Sequence, residues 1–391
     1  MAVTQSIPIL LPVFVVTELL CACNTVQLWS LKKAGVAGTR SWLLANAAML
    51  GYLPALGLRM VLPLIFSVVL SNGLGLVAAS MFYIGCARFL GRPSHARPLA
   101  LLVLAGVAGL LGFTLLLDSM RVRVVIASGG ISIVFAATAW LLFRHRIASH
   151  RATVYWLGAA CSAVTSLLHL GRAVYYGGGF GNISDLFATT VPNVFSMSLT
   201  AALVPGLSML AVAMVQEYLL RDATWRAEHD GMTGLNTRQC FESRSMQLLQ
   251  QAEADGLPLC LLLMDLDHFK QINDRHGHQA GDQVLLTFSE LLRQGMRPGD
   301  VTGRMGGEEF ALLLPQTQPA QALAMAENLR LRAAEIPAVS LGGSIPYSVS
   351  MGLAVWQPGM SFTELYRHAD QALYAAKKAG RNQVMQAAQP A

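Results

Sequence analysis

Seven apolar stretches, each close to the length that a helix needs to cross a lipid bilayer, occupy the first 216 residues of this 391-residue chain. A spanning helix needs about 20 mostly apolar residues. Only 13% of the residues are charged, whereas soluble domains carry about 25%, so part of the chain is expected to lie in lipid. The second stretch is the weakest, because it is short and contains Pro54. The predicted spans are Ile7–Ser30, Ser41–Leu58, Val61–Cys86, Leu99–Leu117, Val124–Phe143, Val154–Tyr175 and Thr189–Val215.

Charge is divided unequally along the chain. Residues 1–216 contain 13 Lys and Arg and only 3 acidic residues, whereas the remainder contains 15 basic and 19 acidic residues. The net charge of +6 therefore combines an apolar half at +10 with a C-terminal half at −4. Basic residues that flank apolar spans indicate membrane orientation. We therefore expect contact with membrane lipid and no nucleic-acid partner.

The loops between the predicted spans differ in their cation content, and Lys and Arg accumulate on the cytoplasmic side of membrane proteins. Alternate loops are rich in cations, and the intervening loops hold only Arg59, Arg121, Arg123 and Arg172. This bias predicts a periplasmic N-terminus and a cytoplasmic location for everything after about Gln216. The nine cations of the predicted cytoplasmic loops are Lys32, Lys33, Arg40, Arg88, Arg92, Arg97, Arg144, Arg146 and Arg151.

The last apolar stretch leads, without a Pro or Gly, into the polar segment Glu217–His229, which keeps apolar residues at helical spacing. This pattern predicts one continuous helix that leaves the membrane. Such a helix could transmit a rotation or a change in dimer packing, or it could be a passive spacer. The pattern alone favours neither interpretation.

The C-terminal half alternates strand and helix patterns, which predicts an α/β domain. Ser361 and Glu364 form a capping-box pattern that opens a helix ending at Gly380. The other predicted elements are strands at Pro258–Asp265, Phe310–Leu314 and Tyr347–Val355, and helices at Asp282–Arg293 and Ala320–Ala334.

Five short blocks in this half match one family in order and at compatible spacing. Arg304–Phe310 reads RMGGEEF, which resembles the signature of the GGDEF family of diguanylate cyclases in its GGEEF form. The resemblance covers about Ala227–Val384 and does not extend to the membrane half. The other blocks are Asp230–Leu235 (DGMTGL), Met264–Asp274 (MDLDHFKQIND), Gly277–Asp282 (GHQAGD) and Ala369–Asn382 (ADQALYAAKKAGRN).

The resemblance implies an enzyme that condenses two GTP molecules into cyclic di-GMP with Mg²⁺ or Mn²⁺ as cofactor. It implies a mostly antiparallel sheet flanked by helices, similar to nucleotidyl cyclases and polymerase palm domains, in a protein of the bacterial inner membrane. Because the product has two-fold symmetry, a homodimer is expected. The predicted organisation is an all-α transmembrane bundle of seven helices at 1–216, a helical linker at 217–229, the cyclase domain at 230–386 and a disordered tail at 387–391.

Carboxylates near the GGEEF block are the expected metal ligands, because Mg²⁺ on a nucleotide usually takes one or two protein carboxylates. Asp265 ends a predicted strand and Glu309 follows the Gly-Gly turn, so the two can face each other across adjacent strands. The resemblance assigns both to the metal, with the carbonyl of Leu266. Glu308 could assist the metal or help to deprotonate the attacking 3′-hydroxyl, and the sequence does not decide between these roles.

Two glycines precede these carboxylates. Gly306 and Gly307 allow a tight turn and a close approach of the backbone to substrate, since neither has a Cβ atom. Alanine in their place is expected to obstruct the nucleotide.

Asn273 and Asp282 are matched to guanine recognition in the family. An aspartate can accept hydrogen bonds from the guanine N1 and N2 donors, and an asparagine offers both a donor and an acceptor. Adenine lacks that donor edge, so these residues predict GTP rather than ATP. Asn273 could alternatively cap a turn before Asp274.

Cations and backbone amides are expected to hold the phosphates. The resemblance places Lys377 and Arg381 within reach of phosphate, although cations near a helix C-terminus are also common for dipole reasons. The backbone amides of His268, Phe269 and Lys270 are expected to cradle the β- and γ-phosphates.

Arg297 and Asp300 match the RxxD inhibitory site of the family, where the product binds and stops turnover. Arg297 lies nine positions before Gly306, as the family places it. A supporting arginine found in some members is Asn328 here, with Arg330 nearby, which predicts weaker or differently linked inhibition.

Ionisable residues within the apolar stretches are few. Glu18 and the pair His169 and Arg172 lie at or near helix interiors, where an ionisable group is by default a functional-site hypothesis. Packing or interface contacts are the interpretation that we favour for each.

Two other function classes are compatible with the sequence. The C-terminal domain could be a catalytically silent cyclic di-GMP receptor, but such receptors usually lose the GGEEF carboxylates and glycines, which are intact here. The chain could also be chiefly a receptor or transporter with a regulatory appendage. Its few intramembrane charges argue against transport.

Overall fold

The structure is a computed structural model that describes residues 3–57, 63–145, 153–180, 191–340 and 343–388. The chain divides into two compact units, Met1–Leu220 and Arg221–Ala391. The predicted span limits Leu58, Val61 and Thr189 lie outside the described residues.

The described part of the N-terminal unit contains seven α-helices, six of which are long and apolar enough to cross a membrane. The exception is the second helix, which has 19 residues and contains Pro54. The prediction of seven spans is therefore supported for six helices by length and composition. The helices are α1 (Val3–Leu31), α2 (Thr39–Gly57), α3 (Leu64–Phe89), α4 (Ala96–Leu115), α5 (Met120–Arg144), α6 (Thr153–Gly177) and α7 (Val191–Glu228).

Small hydroxyl side chains join α5 to α6 in this bundle. The Oγ of Ser132 donates to the carbonyl of Ser166, and the Oγ of Ser166 donates to the carbonyl of Ser132, each at 2.9 Å. Such interhelical bonds let two helices approach closely where water is absent.

Helix α7 continues beyond the apolar stretch to Glu228, as the sequence predicted. Pro205 lies inside this helix, and its carbonyl accepts a hydrogen bond from the Asn24 amide at 3.1 Å. At the far end of the same helix the rings of Trp225 and His229 stack at 3.6 Å.

The described part of the C-terminal unit contains a six-stranded sheet and a separate pair of strands. The strands of the sheet are β1 (Asn236–Thr237), β2 (Leu259–Leu266), β3 (Val301–Arg304), β4 (Glu309–Pro315), β7 (Val349–Val355) and β8 (Val384–Gln386), and the separate pair is β5 (Ala338–Ser340) and β6 (Gly343–Ile345). Their order in the sheet is β1-β3-β4-β2-β7-β8. Three of the five strand pairs are antiparallel, as expected, and the outer pairs β1–β3 and β7–β8 are parallel, so the sheet is mixed.

Helices cover both faces of the sheet. The helix predicted from Ser361 begins with the expected capping box, in which the Ser361 Oγ accepts from the Glu364 amide at 3.3 Å. Ala387 donates its amide to the Leu353 carbonyl at 2.8 Å, and residues 389–391 of the predicted tail lie outside the described residues. The helices are α8 (Arg238–Asp255), α9 (Phe269–His276), α10 (His278–Gly295), α11 (Pro319–Glu335) and α12 (Phe362–Lys378).

Strand β2 is buried along its whole length and contributes to two cores. Its side chains alternate between faces: Leu262, Met264 and Leu266 join the core that includes α10 and α11, while Leu261 and Leu263 join the core that includes α8 and α12. The second series continues at Asp265, so a carboxylate occupies the next position on the α12 face.

Gly352 sets how closely α12 packs on strand β7. A Cβ atom at this position would collide with the backbone of α12, at the carbonyl of Ala369 and the amide of Leu373. Only glycine allows this approach, and α12 carries Lys377 toward the strand ends.

We therefore predict that Gly352→Ala destabilises the C-terminal unit by about 2 kcal/mol or more, because the helix backbone must move to admit the methyl group. Chemical denaturation of residues 221–391 measures the effect. Gly295→Ala in α10 is the matched control, since a Cβ there meets nothing within 4 Å. A Gly352→Ala variant as stable as this control would contradict the packing described.

Candidate active site

Two acidic residues face each other at the end of the central strand pair. In the antiparallel register of β2 and β4, Asp265 lies directly opposite Glu309. Directly opposed residues project their side chains from the same face of a sheet. The two residues thus face each other across adjacent strands, as the sequence predicted. Asp265 is 6% exposed and Glu309 is exposed, so the pair lies at the boundary between the buried sheet and the surface.

The ammonium of Lys377 contacts the Asp265 member of this pair. Its Nζ lies 2.7 Å from the Asp265 carboxylate. Burial raises the pKa of Asp265 even though Lys377 opposes the shift, and the charges of Glu309 and Asp267 add to the rise. The sequence predicted that Lys377 binds phosphate. In the structure it neutralises the Asp265 carboxylate, at the position where a metal ion would do the same.

A third carboxylate completes the cluster. Burial, followed by the negative charge of Asp265, raises the pKa of Glu308. The carbonyl of Glu308 accepts the Leu266 amide at 3.2 Å, which ties the turn to the end of β2 beside the predicted Leu266 ligand. Asp265 and Glu308, whose ionisation is disfavoured, lie beside the Glu309 carboxylate and form with it a site suited to a cation.

The donor set fits a divalent metal held jointly with a substrate. In the described part of the chain, no group of three or more His, Cys, Asp or Glu side chains is arranged to hold a metal by itself. Mg²⁺ is usually held by one or two carboxylates plus substrate phosphates. Asp265 and Glu309 supply two carboxylates on one face, and the remaining positions would fall to a phosphorylated ligand.

The two glycines of the turn differ in what surrounds their Cα atoms. Neither Gly306 nor Gly307 has a positive φ, so left-handed backbone is not the reason for glycine. A Cβ at Gly306 would lie 2.9 Å from the Oε2 of Glu309 and would displace that carboxylate. A Cβ at Gly307 meets nothing within 4 Å, which leaves that side of the turn open.

Arg304 holds the turn in shape. Its Nη2 donates to the Gly307 carbonyl at 2.7 Å, and its Nε donates to the Gly306 carbonyl at 3.1 Å. Its Nη1 donates to the Asp230 carboxylate at 3.0 Å. The sequence placed Arg304 and Asp230 in matching blocks without a role, and the signal that could have linked them is their opposite charge.

Asp230 is itself fixed by Thr233, whose amide and hydroxyl donate to the Asp230 Oδ1 at 2.8 and 2.7 Å. Burial would raise the pKa of Asp230, but the hydrogen bonds from Thr233 and Arg304 outweigh it and hold the pKa below its ordinary value. An ionised Asp230 therefore connects the segment just after α7 to the glycine turn.

Asp267 is a second residue whose role the sequence did not reveal. It is buried, and its carboxylate accepts hydrogen bonds from the hydroxyls of Ser348 and Ser350, each at 2.7 Å. The Asn382 amide also donates to it, at 3.0 Å. Asp267 thereby joins the end of β2 to the start of β7 and to Asn382, the residue that follows Arg381.

The predicted guanine-binding residues lie on two consecutive helices. Asn273 is on α9 and Asp282 is on α10. A Cβ at Gly281 would collide with the Asn273 amide oxygen, so this glycine allows the Asn273 side chain to lie against the turn that carries Asp282. Gly281 was part of a matching block but had no predicted role.

The first turn of α9 contains the backbone amides that the sequence predicts to cradle phosphate. His268 precedes the helix with a φ of 55° and makes no side-chain cap. The backbone N–H groups of the first turn have no partner within a helix, and such groups commonly bind phosphate. The Lys270 and Arg381 side chains are exposed, and Phe269 is buried in the core.

Arg297 and Asp300 close a tight turn between α10 and β3. The Arg297 amide donates to the Asp300 carboxylate at 2.8 Å, and the Arg297 side chain is exposed. Arg330 is engaged elsewhere, because it donates to Glu327 at 2.8 Å and to the Asn382 side chain at 3.1 Å. Arg330 is therefore not free to take the place of the supporting arginine that some family members have where this chain has Asn328.

Comparison with known proteins gives a consistent result for this unit. A family model described as "Diguanylate cyclase, GGDEF domain" matches residues 227–383. Diguanylate cyclase DgcM of Escherichia coli K12 is 44% identical over 161 residues, which is 41% of this chain and 38% of DgcM. The probable diguanylate cyclase DgcT of the same organism is 35% identical over 209 residues, which is 52% of this chain and 46% of DgcT. The chain thus spans less than half the length of these relatives.

Among solved structures, the GGDEF domain of DgcB from Caulobacter crescentus in complex with c-di-GMP is 34% identical, with a TM-score of 0.40. That match covers 42% of this chain and 94% of the DgcB chain.

The raised pKa of Glu308 has a consequence for stability. A carboxyl whose folded pKa is raised stabilises the fold fully below its unfolded pKa of about 4.3, and this contribution is lost as the pH rises through the folded pKa. We predict that Glu308→Gln raises the Tm of metal-free residues 221–391 at pH 7.5 by roughly 1–3 °C, and that the gain disappears near pH 4.

Glu290→Gln is the control, since Glu290 forms an exposed pair with Arg293 at 3.2 Å and such pairs contribute little. Added Mg²⁺ at pH 7.5 is expected to reduce the advantage of Glu308→Gln. A variant with a lower Tm than wild type at pH 7.5, or a gain independent of pH, would contradict the carboxylate cluster.

Proposed function

Residues 227–383 belong to the GGDEF domain family, and from this premise we propose that the protein is a membrane-bound diguanylate cyclase. It condenses two GTP molecules into cyclic di-GMP and releases two pyrophosphates. The observation that carries the proposal is the pairing of Asp265 with Glu309 on one face of the sheet, next to the Gly306–Gly307 turn.

Asp265, Glu309 and the carbonyl of Leu266 would hold Mg²⁺ or Mn²⁺, which would neutralise the triphosphate and orient the reacting phosphate. Lys377 neutralises the Asp265 carboxylate before the metal binds. Once the metal takes that role, the Lys377 ammonium can contact a phosphate. Arg304 maintains the turn, so the Glu309 carboxylate stays over Asp265. Glu308 adds a third charge at the point where the attacking hydroxyl loses its proton.

Substrate selection falls to Asn273 and Asp282. Their amide and carboxylate can pair with the donor edge of guanine, and Gly281 lets them approach. The first turn of α9, with Lys270 and Arg381, would bind the phosphates.

The product requires two active sites. Each 3′-hydroxyl attacks the α-phosphate of the other GTP, so two domains must face each other about a two-fold axis. We therefore propose a homodimer, with α7, whose last turns form the linker, as the element that carries changes in the membrane bundle toward the catalytic domain.

The protein is proposed to cross the bacterial inner membrane seven times, with the catalytic domain in the cytoplasm. If α2 did not cross, Lys32, Lys33 and Arg40 would lie on the side opposite Arg88, contrary to the usual distribution of cations. The Nη1 of Arg88 donates to the Ser41 hydroxyl at 3.0 Å, which places the start of α2 beside the end of α3. The 19 residues of α2 extend about 28 Å, close to the thickness of the hydrocarbon core.

Arg297 and Asp300 are proposed as the product-binding inhibitory site. The exposed guanidinium and the adjacent carboxylate can pair with a phosphate and a guanine of cyclic di-GMP. Because Arg330 is held by Glu327 and Asn382, inhibition is expected to depend mainly on Arg297.

The activity is tested with residues 221–391, GTP and Mg²⁺, by following cyclic di-GMP. We predict that Asp265→Asn and Glu309→Gln each lower the rate at least roughly a hundredfold, since each removes a charge that stabilises the transferring phosphate. Glu335→Gln, an exposed carboxylate at the end of α11, is expected to retain the wild-type rate.

Equal rates in wild type and Glu309→Gln would overturn the enzymatic proposal. Binding of cyclic di-GMP without any synthesis by the wild type would instead favour the silent-receptor alternative.

Feedback is tested separately by adding cyclic di-GMP to the reaction. We predict that Arg297→Ala raises the product concentration for half-inhibition at least tenfold, because a charge-assisted contact is lost. The uninhibited rate should stay within twofold of wild type, and Arg293→Ala in α10 is the matched control. Unchanged inhibition in Arg297→Ala would remove the regulatory site.

A further inference from the structure

The membrane bundle encloses a cavity of about 80 Å³ where five helices meet. Residues of α2, α3, α5, α6 and α7 line it, and most of its wall is apolar, as at Ala78, Ile131 and Leu207. Asn46, His169 and Ser208 add polar atoms to the wall. Ser208 donates to Asn46 at 2.8 Å, so that pair is satisfied, whereas His169 is not.

A second cavity of about 30 Å³ lies next to the first, and Tyr52 lines both. The wall of the second cavity includes Arg123 and Arg172. His169 and Arg172 are three residues apart on α6 and therefore lie on one face of that helix. The first cavity is mainly apolar, the wall of the second carries two arginines, and Tyr52 lies between them.

Two buried polar atoms near the arginines lack a partner among the described residues. The Nδ1 of His169 and the Nε of Arg172 are buried and have no hydrogen-bond partner among the described residues. Arg123 differs, because it pairs with Asp118 at 2.8 Å and with the carbonyl of Phe113 at 3.1 Å. An arginine Nε is always a donor, and an unmatched donor away from water is costly.

The charge of the cavity walls decides the sign of a ligand that fits them. The described residues that line the two cavities include Arg123, Arg172 and His169 but no Asp or Glu. Asp118 pairs with Arg123, which leaves Arg172 as the cation without a carboxylate among the described lining residues. A single negative charge with acceptor oxygens would satisfy the Arg172 Nε, and the His169 Nδ1 in the tautomer that carries its proton there.

The volume of the two cavities limits the size of the ligand that they can hold. A cavity of about 150 Å³ holds benzene, so the two cavities together suit a ligand of about four or five heavy atoms. We propose that the two cavities join past Tyr52 into one site, and that this site binds a short-chain monocarboxylate of two or three carbons. Its carboxylate accepts from His169 and Arg172, and its alkyl group lies in the apolar cavity.

The position of the site indicates the side of access. Arg123 lies in the first turn of α5, and Arg172 lies near the C-terminal end of α6. Both ends face the side that the proposed orientation places outside the cytoplasm. Thr200, Val204, Leu207 and Ser208 of α7 line the larger cavity, so an occupant contacts the helix that continues to Glu228.

The proposal is tested by binding to the full-length protein in lipid nanodiscs, with ¹³C-labelled or radiolabelled acetate and propionate as probes. Saturable binding to the wild type is expected, with a Kd of about 0.1–10 mM. Octanoate, which exceeds the cavities, and acetamide, which lacks the charge, should not compete. Cyclase activity is not needed for this readout.

Arg172→Gln is expected to raise the Kd at least tenfold. Arg121→Gln is the matched control, because Arg121 is exposed at the same end of α5 and lines neither cavity. Absence of saturable acetate or propionate binding to the wild type would overturn the proposal whether or not the variants fold. Equal displacement by chloride, or equal affinity in Arg172→Gln and wild type, would overturn it as well.

Discussion

The opposition of Asp265 and Glu309 across β2 and β4 is the constraint on which the catalytic unit depends. Two carboxylates on one sheet face repel each other unless a cation lies between them. The surrounding structure serves to hold them there: Lys377 neutralises Asp265, Gly306 leaves room for the Glu309 carboxylate, and Arg304 fixes the turn between them. The packing of α12 against Gly352 in turn determines where Lys377 lies.

Elements with strong periodicity were predictable from the sequence. The buried run of β2, the capping box of α12 and the continuous helix α7 follow from local patterns, and the structure confirms them. Short or weakly patterned elements were not predicted: helices α8 and α9, and strands β1, β3, β5, β6 and β8. The parallel pairing of the edge strands β1 and β8 makes the sheet mixed. An edge strand of two or three residues carries too few side chains to show a period.

In the candidate site, too, some residues were predicted from the sequence and some contacts were not. Asp265, Glu309 and their glycine turn were predicted because a family resemblance placed them together. The contacts of Arg304 with Asp230, and of Asp267 with Ser350 and Asn382, join residues that are 74, 83 and 115 positions apart, and no local pattern announces such pairs. The unpartnered buried nitrogens of His169 and Arg172 are likewise recognised only once the helices have been assembled around the two cavities.

Equilibrium binding of a GTP analogue that cannot be cleaved between its α- and β-phosphates tests the central claim most directly. The account predicts that Mg²⁺ strengthens binding to wild-type residues 221–391 at least tenfold, and that Asp265→Asn and Glu309→Gln abolish this dependence. Wild-type binding that is equally tight with and without Mg²⁺, or variants that keep the Mg²⁺ dependence, would show that this carboxylate pair does not hold a metal on the nucleotide.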